Sequence, residues 1–265
     1  MGIRLMLSLP LLAQMLVLGG CATSHHRPWG AEATLRPGWS AIGKAAYRAA
    51  TDKTTWIPLV GAALLHVTGR DETVSDWAAN HKPLFGNDAD DVSDCLRKVA
   101  KVAYAVTAIA TPSGDGSGTW AYHKAKGLSV GYAADLATGG LTDFLKEQSD
   151  RQRPDGTNRR SFVSGHASSS AVHVGLALRN IEYMPMSATL RSGTHIGLYA
   201  IAAGTAWARV EAAKHYPSDV LAGFALGNFV ASFANDAFLE PSIGNIRMSL
   251  LPVRQGAMVV VSMSY

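Results

Sequence analysis

The chain has 265 residues, 48% of them hydrophobic and 17% charged, with a formal charge of +4. A chain of this length can bury a core without disulfide or metal staples. The basic residues are spread along it with no charged tail, which argues against a nucleic-acid groove and suits anionic substrates or a membrane surface.

Residues 1–20 hold one positive charge, Arg4, then an apolar run that ends in Leu18-Gly19-Gly20-Cys21. This has the form of a signal peptide, and the run is too short for a membrane span. The Leu-Gly-Gly-Cys ending resembles a bacterial lipobox. That resemblance implies diacylglycerol on the Cys21 thiol and cleavage that makes Cys21 the new N-terminus. Acyl chains anchor through buried methylenes at roughly 0.8 kcal/mol each, so the chain need not cross the bilayer to stay on it. Ala22 stands where an aspartate would resemble an inner-membrane retention signal. The expected location is therefore the cell envelope, facing the periplasm, on the outer membrane. Cys95 is then an unpaired thiol, of the kind usually buried and inert.

Residues 21–40 are polar and broken by proline and glycine, which reads as a lipidated tether. The adjacent His25 and His26 read as part of a solvated tail. From about 41 to 240 the pattern is helical and rich in small residues, with helices expected near 41–52, 54–68, 71–80, 92–111, 118–148, 166–181, 188–209 and 217–239. Breakers fall at Gly69, Pro83 with Gly86, Pro112 to Gly118, Pro154 with Gly156, and Pro185. Asp71 and Asp115 fit turn or cap positions. The longest apolar stretches, 196–208 and 220–233, are shorter than a span of ~18–20 residues. A helical bundle with close helix packing is the expectation, with a partly membrane-embedded body as the other possibility. Residues 241–265 change to period-two alternation around Pro252 to Gly256, the pattern of a β-hairpin. The expected fold class is thus an all-α bundle with a short C-terminal β-hairpin.

Three clusters carry chemistry: Lys146 to Arg153-Pro154, Ser161 to His166, and Arg209 to His215 and Asp219. Metal-free cleavage of a phosphate ester needs cations around the non-bridging oxygens, a nucleophile, and an acid for the leaving oxygen. Lys146 and Arg153 leave a helix end for a loop, and Arg209 closes another helix. Arginine grips two phosphate oxygens at once and lysine adds a compact charge. Ser164-Gly165-His166 opens a helix, where free N–H groups and the dipole favour an anion. Glycine there allows close backbone approach. A carboxylate four residues after a histidine, Asp219 after His215, can hydrogen-bond one ring nitrogen and leave the other free to attack. His166 can then protonate the departing oxygen. Taken singly, each cluster also fits a basic helix end, a helix cap or a surface ion pair. Their order and spacing together do not.

Lys-x6-Arg-Pro, Ser-Gly-His and Arg-x5-His-x3-Asp together resemble the three-part signature of the type 2 phosphatidic acid phosphatase (PAP2) superfamily. The likeness runs over about residues 54–235, with the signature at 146–219. It implies an all-helical bundle of the acid phosphatase type and no metal or other cofactor. It implies phosphate binding by Lys146, Arg153, Ser164, Gly165 and Arg209. It implies His166 as general acid and His215 as nucleophile, with Asp219 as partner to His215. The family usually has proline where this chain has Val163, for which a tuning effect is expected. Arg151, Arg159 and Arg160 add charge beside the site, as solvated loop residues or as contacts to a second acidic group.

The function this implies is metal-independent hydrolysis of phosphate monoesters through a phosphohistidine. The substrates expected are lipid phosphates or pyrophosphates of the cell envelope, reached through the lipid anchor. A general periplasmic acid phosphatase acting on soluble monoesters, a vanadium-dependent haloperoxidase and a non-catalytic envelope lipoprotein are the alternatives.

Overall fold

The computed structural model describes residues 27–241 and, as backbone, the strands Arg247–Val253 and Gly256–Ser262. The leader, the Cys21 lipidation site and the His25-His26 pair lie outside the described residues. Among the described residues, eight α-helices follow in chain order. These are α1 (Trp39–Thr51), α2 (Lys53–Val67), α3 (Arg70–His81), α4 (Ala89–Ala110), α5 (Ser117–Ser149), α6 (Gly165–Glu182), α7 (Ala188–Glu211) and α8 (Pro217–Ala234). They coincide with the helices expected from the sequence, shifted by a few residues at their ends. The last expected helix finishes as a π-turn, Asn235–Leu239.

The breaks have local causes. Asp52 caps α2 by accepting from the Thr54 N–H at 2.8 Å. Gly69 takes a left-handed φ of 66° between α2 and α3, which glycine allows at little cost. Ser187 caps α7 from the Leu190 N–H at 3.3 Å. Pro217 sits in the first turn of α8, where its missing N–H is not needed.

Helix α6 is the centre of the bundle, buried along nearly its whole length from Ala167 to Ile181. It packs against α8, α4, α7 and α5, while α1 and α2 cover α8 from outside. The α6–α8 crossing is close because α8 offers glycines there. A Cβ on Gly227 would fall 2.3 Å from the Ser168 carbonyl oxygen, and one on Gly223 would fall 2.5 Å from that of Ser164. Apolar clusters fill the two sides of α6, with Val172, Leu176 and Val230 in one and Val174, Ile181 and Leu198 in the other.

Within the stretch read as a tether, Trp29 and Ala33 are buried in the first cluster. The Trp29 N–H donates to the Pro112 carbonyl at 2.9 Å, and the Thr34 N–H donates to Phe238 at 2.8 Å. Beside Trp29, the buried Lys124 ammonium donates to the carbonyls of Ala108 and Thr111 at the end of α4. It thereby satisfies acceptors that a helix end leaves open. Burial lowers Lys124 to about 8.

The hairpin strands pair antiparallel from Arg247↔Ser262 to Val253↔Gly256. Pro252 lies inside the ladder opposite Ala257, so the strands run further toward the turn than the alternation implied. Among the described residues, no helix is long and apolar enough to cross a membrane. Cys95 is exposed, not buried as expected of a lone thiol, because it lies on an outward face of α4.

Candidate active site

The three sequence clusters meet at one end of the bundle, where α5 ends and α6 and α8 begin. The return from α7 to α8 is short and tightly closed. The N–H groups of Lys214 and His215 both donate to the Arg209 carbonyl, at 3.0 and 3.2 Å. That closure gives the Arg-x5-His spacing its physical meaning, since it folds His215 back beside Arg209. Asp219 stands in the first turn of α8 and reaches back to the Tyr216 N–H at 2.9 Å, one half of a capping box.

His215 is 1% exposed and Asp219 fully buried. Their relation differs from the sequence expectation. The Asp219 Oδ2 is 3.9 Å from the His215 Nδ1, too far for a hydrogen bond. The ring nitrogen instead lies 2.7 Å from the Ser161 carbonyl oxygen. A carbonyl can only accept, so Nδ1 carries the proton and Nε2 keeps its lone pair. The carboxylate is turned away because its oxygens are occupied. Oδ2 accepts from the Ser161 hydroxyl at 2.5 Å, and Oδ1 accepts from Arg151 at 2.6 Å. Burial alone would raise Asp219. The Ser161 and Arg151 contacts and the neighbouring imidazole bring it below its ordinary value. Burial lowers His215 to about 4, with Arg209 and Arg153 pushing the same way against Asp219.

Lys146 lies in the last turn of α5. Its Nζ is 3.5 Å from where a Cβ on Gly165 would be, so the ammonium sits against the first turn of α6. Thr142, one turn earlier, is 2.9 Å from the Ser168 hydroxyl and ties the two helices together there. Burial lowers Lys146, and the nearby Arg153 and Arg209 add to this. The loop that carries Arg153 is pinned across to the α7–α8 return. The Asp155 N–H donates to the Ala213 carbonyl at 3.0 Å, and the Asp155 carboxylate receives Lys214 Nζ at 2.9 Å. Ser164 caps α6, and its N–H donates to the Asp219 carbonyl at 3.0 Å. The starts of α6 and α8 are therefore joined backbone to backbone. Val163 is buried with Ala62 and Ala222.

His166 and Arg209 each face a carboxylate from α4 that the sequence reading did not single out. His166 Nε2 is 2.7 Å from Asp94 Oδ1. The His166 hydrogen bond, with Arg97, lowers Asp94 to about 2. Asp94 is thus ionised at neutral pH and accepts, so Nε2 carries the His166 proton. Burial and the charge of Arg209 lower His166 to about 4, with Asp94 opposing. The Arg209 guanidinium pairs with Asp90 and donates to the Ser93 hydroxyl at 3.0 Å. Asp90, Ser93 and Asp94 open an amphipathic helix far from the three clusters in sequence. Acidic residues in a first turn look like ordinary helix-dipole partners, so no local signal marks them.

The other loop arginines are paired. Arg159 bonds Asp150 at 2.7 Å, and Arg160 bonds Asp143 at 3.0 Å. Arg151 joins Asp219 to Asp71, at 2.6 and 2.9 Å. Arg159 and Arg160 are exposed, as solvated loop residues are, while Arg151 is turned inward onto two carboxylates of the chain. Asp71, read as a cap, is buried and accepts from the Ser218 N–H of α8 at 2.8 Å.

The PAP2 superfamily profile matches residues 128–239. No curated protein matches the chain. A transmembrane PAP2-type phosphatidylglycerolphosphate phosphatase from Bacillus subtilis has a similar fold, with a TM-score of 0.52 and 22% identity. That match covers 68% of this chain and 91% of the other. The matched profile takes in Lys146 to Asp219, every residue of the site but those on α3 and α4.

Proposed function

We propose that this chain, whose residues 128–239 match the PAP2 superfamily profile, is a phosphatase of that type and cleaves phosphate esters without a metal, through a phosphohistidine on His215. The observation that carries the mechanism is the 2.7 Å contact between His215 Nδ1 and the Ser161 carbonyl. It leaves an unprotonated Nε2 at a place where Lys146, Arg153 and Arg209 converge.

The phosphoryl oxygens are gripped by those three cations and by the first turn of α6 at Gly165, with Ser164 shaping that turn. The Nε2 lone pair attacks phosphorus, the ester P–O bond breaks, and the leaving oxygen takes a proton from His166. Asp94 holds His166 by Nε2, so the donated proton is on Nδ1. Water then attacks the phosphohistidine. His166 takes the water proton, the P–N bond breaks, and free phosphate leaves with His215 restored. Asp219 and the Ser161 carbonyl steady the positive ring while it is phosphorylated.

Lipid phosphates or pyrophosphates are the substrate class we favour over soluble monoesters. Helix α2 exposes Trp56, Ile57, Leu59, Val60, Leu64 and Val67. Beside it an apolar groove of about 500 Å³, lined by Leu59, Ala62, Ala63, Phe162 and Ala222, leads to Arg151 and Ser218. Surfaces of this kind mark contacts with lipid or protein. Anchoring at Cys21 to the outer membrane is carried by the sequence alone, and the intact mass of protein extracted from membranes checks it.

The test is phosphate release in EDTA from matched soluble and lipid esters, with His215→Ala alongside. We expect release that the substitution abolishes, and an acid-labile, base-stable phosphoryl label on the wild-type chain. Release that survives His215→Ala would overturn the role of His215. Halide oxidation that depends on added vanadate, with no phosphate release, would overturn the reaction.

A further inference from the structure

Helix α4 carries partners of the site in a row. Asp90 and Ser93 hold Arg209, and Asp94 holds His166. Arg97 comes next on the same face, three residues after Asp94. Its Nη2 donates to Asp94 Oδ1 at 3.1 Å, the same oxygen that lies 2.7 Å from His166 Nε2. Two donors on one oxygen are close neighbours, and the charge of Arg97 is felt at the His166 ring. That bond uses one of the five guanidinium N–H groups. The Nε of Arg97 is buried and has no hydrogen-bond partner. Among the described residues, Arg153 and Arg209 share that state, and they are the two arginines that the proposed reaction gives to the transferring phosphoryl group.

We propose that Arg97 binds the leaving group, and that the group it takes is a phosphate bonded directly to the leaving oxygen, so that the preferred substrate is a diphosphate ester cleaved at its terminal phosphorus. This rests on the reading of His215 as nucleophile and His166 as acid. A buried guanidinium donor without an acceptor is costly until a ligand supplies one. Arginine's planar fork suits phosphate oxygens. The contacts of α4 fix an order, with Arg209 at the transferred phosphoryl, His166 at the leaving oxygen and Arg97 beyond it. A diphosphate has the same order, from terminal phosphorus through bridging oxygen to inner phosphate. The monoester of a plain alcohol puts carbon in the last place and leaves the Arg97 Nε bare.

The bonds balance without a further reactant. His215 Nε2 attacks the terminal phosphorus, and the bond from that phosphorus to the bridging oxygen breaks. The oxygen keeps the electron pair, takes the His166 proton and leaves as part of an alkyl monophosphate. Water then breaks the P–N bond and gives free phosphate. Lys101, one turn further along α4, is taken by Asp135 at 3.2 Å, whereas Arg97 still has donors to give. A purely structural role for Arg97, as a half-exposed ion pair that steadies Asp94, leads elsewhere. It would act through His166, and an alkyl phosphate needs that acid more than a diphosphate does, because the phosphate leaving group is the more stable anion. The two roles therefore differ in which substrate suffers more.

The experiment compares dodecyl diphosphate with dodecyl phosphate in EDTA, on the wild type, Arg97→Gln and Arg97→Lys. We expect the wild type to prefer the diphosphate in kcat/KM. In Arg97→Gln the diphosphate should lose roughly 10- to 100-fold more of its kcat/KM than the monophosphate loses. Arg97→Lys keeps the charge without the fork and should recover part of that difference. Equal losses on the two substrates, a larger loss on the monophosphate, or a wild-type preference for the monophosphate overturns the proposal. If Arg97→Gln does not fold, the lysine variant decides, by whether its loss is larger on the diphosphate. If the wild type releases no phosphate from either ester, the catalytic reading fails. Calorimetry with the non-hydrolysable dodecyl ester of methylenediphosphonate and with dodecylphosphonate then decides for Arg97 alone. A preference for the diphosphonate that Arg97→Gln removes upholds its role, and no such preference overturns it.

Discussion

His166 is partly exposed and His215 fully buried, both hold their protons at about 4, and the groups they touch suit them to the opposite tasks proposed for them. A neutral carbonyl holds His215 Nδ1 and leaves a nucleophilic Nε2. An ionised carboxylate holds His166 Nε2 and favours the imidazolium that an acid must become. Asp94→Asn removes that support. The loss in kcat/KM should be larger for an alkyl phosphate, whose leaving oxygen needs the proton, than for nitrophenyl phosphate, whose leaving oxygen does not. Equal losses on both, measured side by side, would refute the assignment of His166 as the acid. These pairings also show what the sequence could yield. Lys146, Arg153, Ser164, Gly165, His166, Arg209, His215 and Asp219 were legible because their spacing is local and repeats a known signature. Asp71, Asp90, Asp94 and Arg151 were not, because their partners lie up to 147 residues away and only the folded chain joins them. The Asp219–His215 hydrogen bond was inferred from helical spacing, but spacing cannot register that Arg151 and the Ser161 hydroxyl reach the carboxylate first.

At the scale of elements, the site depends on how closely α6 and α8 start together. The Ser164 N–H is bound to the Asp219 carbonyl, and Gly223 passes within reach of both backbone atoms of Ser164. Gly223→Ala would put a Cβ 2.5 Å from the Ser164 oxygen. Neither backbone can yield cheaply, so the variant should lose about 1–3 kcal/mol of stability. It should also lose most turnover, because Gly165 and His166 move with Ser164. Denaturant unfolding and phosphate release together check this; a stable and fully active variant would contradict the packing described. The helices themselves were legible throughout. Breakers, caps and small-residue faces are local signals, and eight elements could be placed from them. The docking of Trp29 was not, because its partners Pro112 and Gly127 are far along the chain and its own surroundings look like a linker.

For the molecule as a whole, pH acts on activity and stability in opposite senses. On the proposed mechanism, turnover from free enzyme needs His215 neutral and His166 protonated, and both titrate at about 4. The kcat/KM profile should therefore peak in acid and decline toward neutrality. The kcat profile should extend to higher pH, because a bound phosphate dianion favours the His166 proton. Stability runs the other way. The unfolded chain binds these protons near the ordinary histidine value of 6.5, the folded chain only near 4. Stability is therefore complete above 6.5 and is lost as pH falls toward 4. Melting temperatures across this window, taken with the activity profile, should show the protein most active where it melts earliest. A flat melting profile would contradict the burial of neutral imidazoles.

The carboxylates of α4 bear on how a turnover ends. Asp90 and Asp94 stand against Arg209 and His166, so the site meets an incoming dianion with part of its positive charge already answered. Capture is then an exchange of one anion for another, weaker than binding to bare cations. Release gains by the same amount, since the two carboxylates can close behind the departing phosphate. A site that gripped its product as tightly as four unanswered positive groups allow would clog, and these two residues of a distant helix act as its built-in eluant.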